Sequence, residues 1–90
     1  MTAPRRLTAT VCYATAEQTV LRPVTLPPGA TLERAIMASG ILVHCPEIDL
    51  THNPVGVYAR RQPLHALVQQ GDRIEIYRPV TAKREKKETV

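Results

Sequence analysis

Polar and apolar residues alternate through "LTATVCYA" at positions 7–14. A period of two puts Leu7, Ala9, Val11 and Tyr13 on one face of an extended chain. Thr8, Thr10, Cys12 and Ala14 fall on the other, as in a half-buried strand. "EQ" at 17–18 suits a turn, and "TVLRPVTL" predicts a second strand ending at Leu26. Two such runs joined by a short polar link predict a hairpin. Pro23 has no amide hydrogen for a ladder, so this strand belongs at an edge or carries a bulge.

"PPGA" stops the hairpin, and Thr31 then stands where a helix N-cap belongs, with Glu33 in the first turn. Leu32, Ala35 and Ile36 form an apolar stripe at helical spacing, and Gly40 is placed to end the helix in the left-handed conformation. The helix is predicted over 31–39, with Ile41 and Leu42 covering the core just beyond it. "HCPEIDL" at 44–50 reads as irregular, since Pro46 forces an extended residue before it. "THNP" reads as a turn and "VGVYA" at 55–59 as a third strand.

In "RRQPLHALVQQGD", Leu64, Leu67 and Val68 repeat at helical spacing and predict a short helical turn ending at Gly71. Arg73 to Arg78 is the last strand, with Ile74 and Ile76 facing in. The predicted core is Leu7, Val11, Leu26, Leu32, Ile36, Leu67, Ile74 and Ile76. One domain over 1–80 is followed by a charged segment, 81–90, that lacks apolar anchors and is expected to be disordered. Periodicity by itself supports a small α+β domain.

Composition narrows the functional classes. Ninety residues make one small domain, and without Phe or Trp its core is built from Val, Ile, Leu and Ala, with three Tyr at the edges. The formal charge is +4, and half of that excess sits in Lys83, Arg84, Lys86 and Lys87 against Glu85 and Glu88. The body is close to balance, so the charge permits nucleic-acid binding without arguing for it. Cys12 and Cys45 lie far apart with no CxxC pair, which predicts two ordinary thiols in a reducing cytoplasm and no disulfide framework or zinc site. "RRLTATVCYATA" offers two arginines and an Ala14-x-Ala16 triplet, but Thr8, Thr10 and Thr15 interrupt the apolar run that a secretion signal requires. No run approaches the ~20 apolar residues of a membrane span.

"GATLERAIMASGIL", "PEIDL", "VGVY" and "GDRIEIYRP" together resemble the bacterial RnfH family, also called RatB, from Leu7 to Pro79. The resemblance implies a ubiquitin-like β-grasp fold: a mixed sheet of four to five strands on one helix, with the first and last strands central and parallel. It also implies no assigned catalysis and no cofactor, a link to a RatA-type START-like protein, and for some members a link to an Rnf electron-transport cluster. This chain departs from the family at two places. Cys45 stands where Phe is usual before "PEIDL", and reads as a smaller apolar plug. After Pro79, Thr81, Ala82 and Lys83 replace the acidic-Pro-Lys start that is usual in the family.

Candidate chemistry is thin. His44, His52 and His65 lie in separate segments, and the neighbours His44 and Cys45 would point apart. Glu47 and Asp49 in "PEIDL" suit a cap or turn. There is no phosphate-cradling glycine loop and no metal-ligand spacing. A sulfur carrier needs a terminal Gly-Gly, whereas this chain ends Glu88-Thr89-Val90, so carrier chemistry is not expected. Nucleic-acid or ribosome association would rest on Arg60, Arg61 and the basic tail, with Tyr58 and Tyr77 as the available stacking rings. A protein-binding face is the leading expectation. With Ile74, Ile76, Leu7, Ala9 and Val11 inward, Thr8, Thr10, Cys12, Arg73, Glu75 and Tyr77 share the open side of the sheet, and Tyr77 is its expected anchor.

Overall fold

The computed structural model describes residues 6–15 and 17–78. The strands β1 (Leu7–Ala14) and β2 (Thr19–Leu26) form the expected hairpin, in register from Leu7 opposite Leu26 to Ala14 opposite Thr19. At its turn the Thr15 hydroxyl accepts the Gln18 amide at 3.0 Å. The Thr10 amide donates to the Asp72 carbonyl across the sheet, so its partner Pro23 turns its nitrogen to the free edge of β2. Proline thereby occupies one of the alternate positions where its missing donor breaks no internal ladder.

Helix α1 (Leu32–Ser39) starts where the sequence indicates. The Thr31 hydroxyl accepts the Arg34 amide at 3.2 Å, and Gly40 closes the helix at φ 79°. A short second helix, α2 (Ile41–His44), follows directly and buries Ile41. Three short strands complete the sheet: β3 (Val55–Val57), β4 (Arg60–Gln62) and β5 (Arg73–Ile76). The order is β2-β1-β5-β3-β4. β1 and β5 are adjacent and parallel, from Thr10 opposite Arg73 to Tyr13 opposite Ile76. This is the expected β-grasp arrangement, with α1 across one face.

Val11, Leu32, Ile36, Ile41 and Ile74 are fully buried between sheet and helices, and Leu26 and Ile76 nearly so. Leu7 only packs against the edge of this cluster. Cys45 is buried within it as an apolar filler, and desolvation, followed by the nearby Glu47 carboxylate, pushes its thiol pKa up.

Three expectations are corrected. The third strand ends at Val57, because Tyr58 and Ala59 both have positive φ and turn the chain back into β4, which the sequence reading missed. The last strand ends at Ile76 instead of Arg78. Residues 63–71 hold no helix, and Leu67 is 58% exposed instead of buried. The true period there is two: Val68 is buried and Leu64 and Ala66 partly so, while His65, Leu67 and Gln69 are exposed. The backbone explains this. The Ala66 amide turns back to Pro63, Leu32 and Glu33 donate to the carbonyls of Ala66 and Leu64, and the Val68 amide donates to Ala30, so a tight turn leads into a short stretch bridged to the start of α1. The expected tail at 81–90 lies outside the described residues.

Ile74 lies at the centre of the sheet with no exposed surface. Ile74→Ala should destabilise the protein by roughly 2–5 kcal/mol, the usual range for a buried large-to-small change. A urea titration checks this, and a loss below about 1 kcal/mol would mean that the site collapses around the missing atoms.

Candidate functional site

Strand alternation and register decide what reaches the face opposite α1. Cys12 lies between Leu21 of β2 and Glu75 of β5, and Thr10 lies between Pro23 and Arg73. Glu75 is opposite Gly56, and Gly56 is opposite Arg61. One row therefore runs Leu21, Cys12, Glu75, Gly56, Arg61 across the whole sheet. Cross-strand neighbours of this kind lie close enough to touch.

Glu75 organises the row. Its Oε1 accepts from the Tyr77 hydroxyl at 2.7 Å and from the Ala59 amide at 2.7 Å. Its Oε2 stands 3.5 Å from Arg73 Nε. Gly56 makes the first of these contacts possible, since a Cβ there would come within 2.7 Å of the Tyr77 hydroxyl and would also meet the Arg60 carbonyl. Burial of the ring, with the hydrogen bond to Glu75 next, pushes the Tyr77 phenol up to about 12.

The β3–β4 turn is tied down at a second point. Tyr58 has φ 49° and Ala59 φ 69°, a left-handed pair usually reserved for Asn and Gly. Backbone strain of this kind persists only where surroundings over-determine it. Here the Ala59 amide is held by Glu75, and the Tyr58 hydroxyl donates to the Gly71 carbonyl at 2.5 Å. The Tyr58 ring is thus laid over the open face while remaining 59% exposed.

Cys12, Arg73, Glu75 and Tyr77 line one shallow hollow of ≈ 180 Å³, together with Ala14, Thr19 and Ile76. Four of the six expected face residues therefore come together. Thr10 joins them through Arg73 in a neighbouring hollow. Thr8 stands at the far end, its hydroxyl accepting from Gln70 Nε2 at 2.7 Å. Cys12 is on the expected face but is not a free surface group. It is 6% exposed, with the Arg73 guanidinium 3.7 Å from its sulfur. Tyr77 is half-buried with its hydroxyl engaged, so the exposed ring on this face is Tyr58. Leu21, 49% exposed opposite Cys12, is the other large apolar group here. Counting in twos back from buried Leu26 puts Val24, Arg22 and Val20 on the inner face and leaves Leu21 on the outer one.

The remaining candidates separate. Arg60 and Arg61 are consecutive on β4, so their side chains leave from opposite faces. His44 is exposed and Cys45 buried. Asp49 builds a turn, as expected: it accepts from the Thr51 hydroxyl at 2.6 Å and the Thr51 amide at 2.9 Å, with His52 Nδ1 3.1 Å away. These bonds, the Thr51 hydroxyl first, lower its pKa to about 2. Asn53, which the sequence reading passed over inside a turn, is buried; its Oδ1 accepts the Asp49 amide and its Nδ2 donates to the Tyr77 carbonyl. It fastens the "PEIDL" loop to the end of β5. Among the described residues no cluster of His, Cys, Asp or Glu could hold a metal ion.

A five-stranded mixed sheet grasping one main helix, with parallel first and last strands in the middle, defines a ubiquitin-like β-grasp protein. The crystal structure of the small archaeal modifier protein 1 of H. volcanii shares the fold, with a TM-score of 0.62 at 19% identity over 82% of this chain and 99% of that one. The model of the RnfH family of ubiquitin-like proteins matches residues 7–89. Protein RnfH of Paraburkholderia phymatum is 51% identical over 74 residues, covering 82% of this chain and 67% of that relative. Protein RnfH of Escherichia coli O45:K1 is 49% identical over 79 residues, covering 88% of this chain and 82% of that relative. The chain belongs to the RnfH family.

Two outcomes follow from this geometry. Ala59→Gly relieves a left-handed penalty of about 1–2 kcal/mol while adding about 0.5–1 kcal/mol of unfolded-chain entropy. Urea unfolding should therefore show a net gain of about 0.5–1 kcal/mol, and a loss would show that Ala59 is not strained. Tyr77 titrates near 12 when folded and near 10.0 when unfolded. Its contribution is complete below pH 10 and is lost as pH rises toward 12, because the unfolded chain gives up the proton first. Stability measured across that window should fall more steeply in the wild type than in Tyr77→Phe.

Proposed function

We propose that the chain is a cytoplasmic, non-catalytic protein-binding module that engages its partner through the open face of the sheet. One observation carries this reading. Opposite the helix-covered side, Tyr58 and Leu21 stay exposed around Arg73, while Glu75 fixes the turn that presents Tyr58. A rigid ring beside an arginine is the residue chemistry of interface anchors. The divergence of His44 and Cys45 supports a non-catalytic role. Two reduced, buried cysteines fit the cytoplasm, and no helix among the described residues is long and apolar enough to cross a membrane. A RatA-type START-like protein, implied by the family resemblance, is the first partner to test.

The competing nucleic-acid reading needs Arg60 and Arg61 to act together, and their opposed directions on β4 favour the protein-binding reading. The test is capture from the native host, with mass spectrometry of what is bound and with each variant first checked for folding. Tyr58→Ala should weaken capture of the principal protein by about 1–3 kcal/mol, and Arg60→Ala should leave it unchanged. A folded Tyr58→Ala that captures as strongly as wild type removes the face from the proposal. Recovery of RNA that is lost on substituting both arginines and on raising salt would replace it.

A further inference from the structure

Resting on the open-face reading, we infer that the hollow between Leu21 and Tyr58 seats a partner protein segment that brings a carboxylate to Arg73 and an apolar side chain beside it. The hollow, ≈ 330 Å³, is lined by Thr10, Leu21, Tyr58, Gly71, Asp72 and Arg73. Leu21 and Tyr58 make two exposed apolar walls, and the Arg73 side chain between them is 51% exposed.

Glu75 offsets the Arg73 charge, but Arg73 keeps hydrogen-bonding capacity for an anion once each group is followed to its partners. Glu75 is occupied: Tyr77 and the Ala59 amide take one oxygen, and Arg73 Nε lies 3.5 Å from the other. Asp72 shares the phase of Ile74 and Ile76, so its side chain leaves from the helix side, where it accepts the Gln69 amide at 2.7 Å. Arg73 directs Nη2 at the Cys12 sulfur, a weak acceptor, at 3.7 Å. Among the described residues its guanidinium makes no other hydrogen bond, so N–H groups remain for a carboxylate. Arg61 adds a second cation on the same face.

The manner of docking follows from the edge and the turn. Pro23 removes a donor in the middle of the free β2 edge, so a strand added there would find an interrupted ladder. A partner segment lying across the face meets no such gap. Tyr58 is already fixed by its hydroxyl on Gly71 and by the strained turn, so little further ordering is needed on binding.

The probe is a phage-displayed library of random peptides selected against the folded full chain, followed by amide chemical-shift titration with the leading peptide. Enriched sequences should place Asp or Glu beside Leu, Ile or Val, and the amides of Thr10, Leu21, Tyr58 and Arg73 should shift. Replacing the peptide's acids by Asn or Gln, or making Arg73→Gln, should each weaken binding about tenfold or more, while Arg60→Gln should not. Arg73 is half exposed, so Arg73→Gln is expected to fold, and the acid-to-amide peptide tests the same contact on the unaltered protein. Enrichment of neutral or basic peptides that shift the same amides overturns the carboxylate inference and leaves the open-face reading standing. Peptides that shift α1 instead overturn both, and a library that yields no enriched sequence overturns the inference.

Discussion

The parallel pairing of β1 with β5 is the contact on which the rest of the molecule depends. It joins residues 10–13 to residues 73–76, and Val11 and Ile74 meet there without any exposed surface. Every other element attaches to this pair: β2 to its outer side, the β3–β4 hairpin to the other, and α1 across it. The three-residue strands β3 and β4 could not stand alone, since an isolated two-stranded hairpin is marginal in water. They hold because Val57 and Val55 pair with Ile74 and Ile76, and because one carboxylate, Glu75, clamps their turn. Fold and candidate site thus share a single strand: the inward residues of β5 build the core and the outward ones build the face.

The elements that could be read from the sequence were those whose signals are local. Alternation over "LTATVCYA", the Thr31 cap and the Gly40 stop each act within a few residues, and each appears where expected. What escaped depends on distant partners. The Tyr58-Ala59 turn carries no Asn or Gly to announce a left-handed pair, and only Glu75 and Gly71 explain why it forms. The segment around Leu67 showed three apolar residues at helical spacing, but backbone partners at 30–33 hold it as a turn and a short bridge.

The face itself divides the same way. Which residues point outward followed from period two, so Cys12, Arg73, Glu75 and Tyr77 were found together. How much of each remains exposed is a matter of register between strands, which sequence does not show. Arg73 covers Cys12, and Tyr77 folds down onto Gly56. The exposed ring therefore belongs to Tyr58, on an element the sequence reading merged into a longer strand.

Parallel central strands also fix how the domain meets mechanical load. β1 begins at one end of the sheet and β5 finishes at the other, so tension between the flanking chain segments runs along both strands in opposite directions. Their shared hydrogen bonds are then strained together, in shear. Pulling inward from the β4 edge instead would peel the short hairpin away a few bonds at a time. A machine that unravels this protein would meet very different resistance depending on where it takes hold.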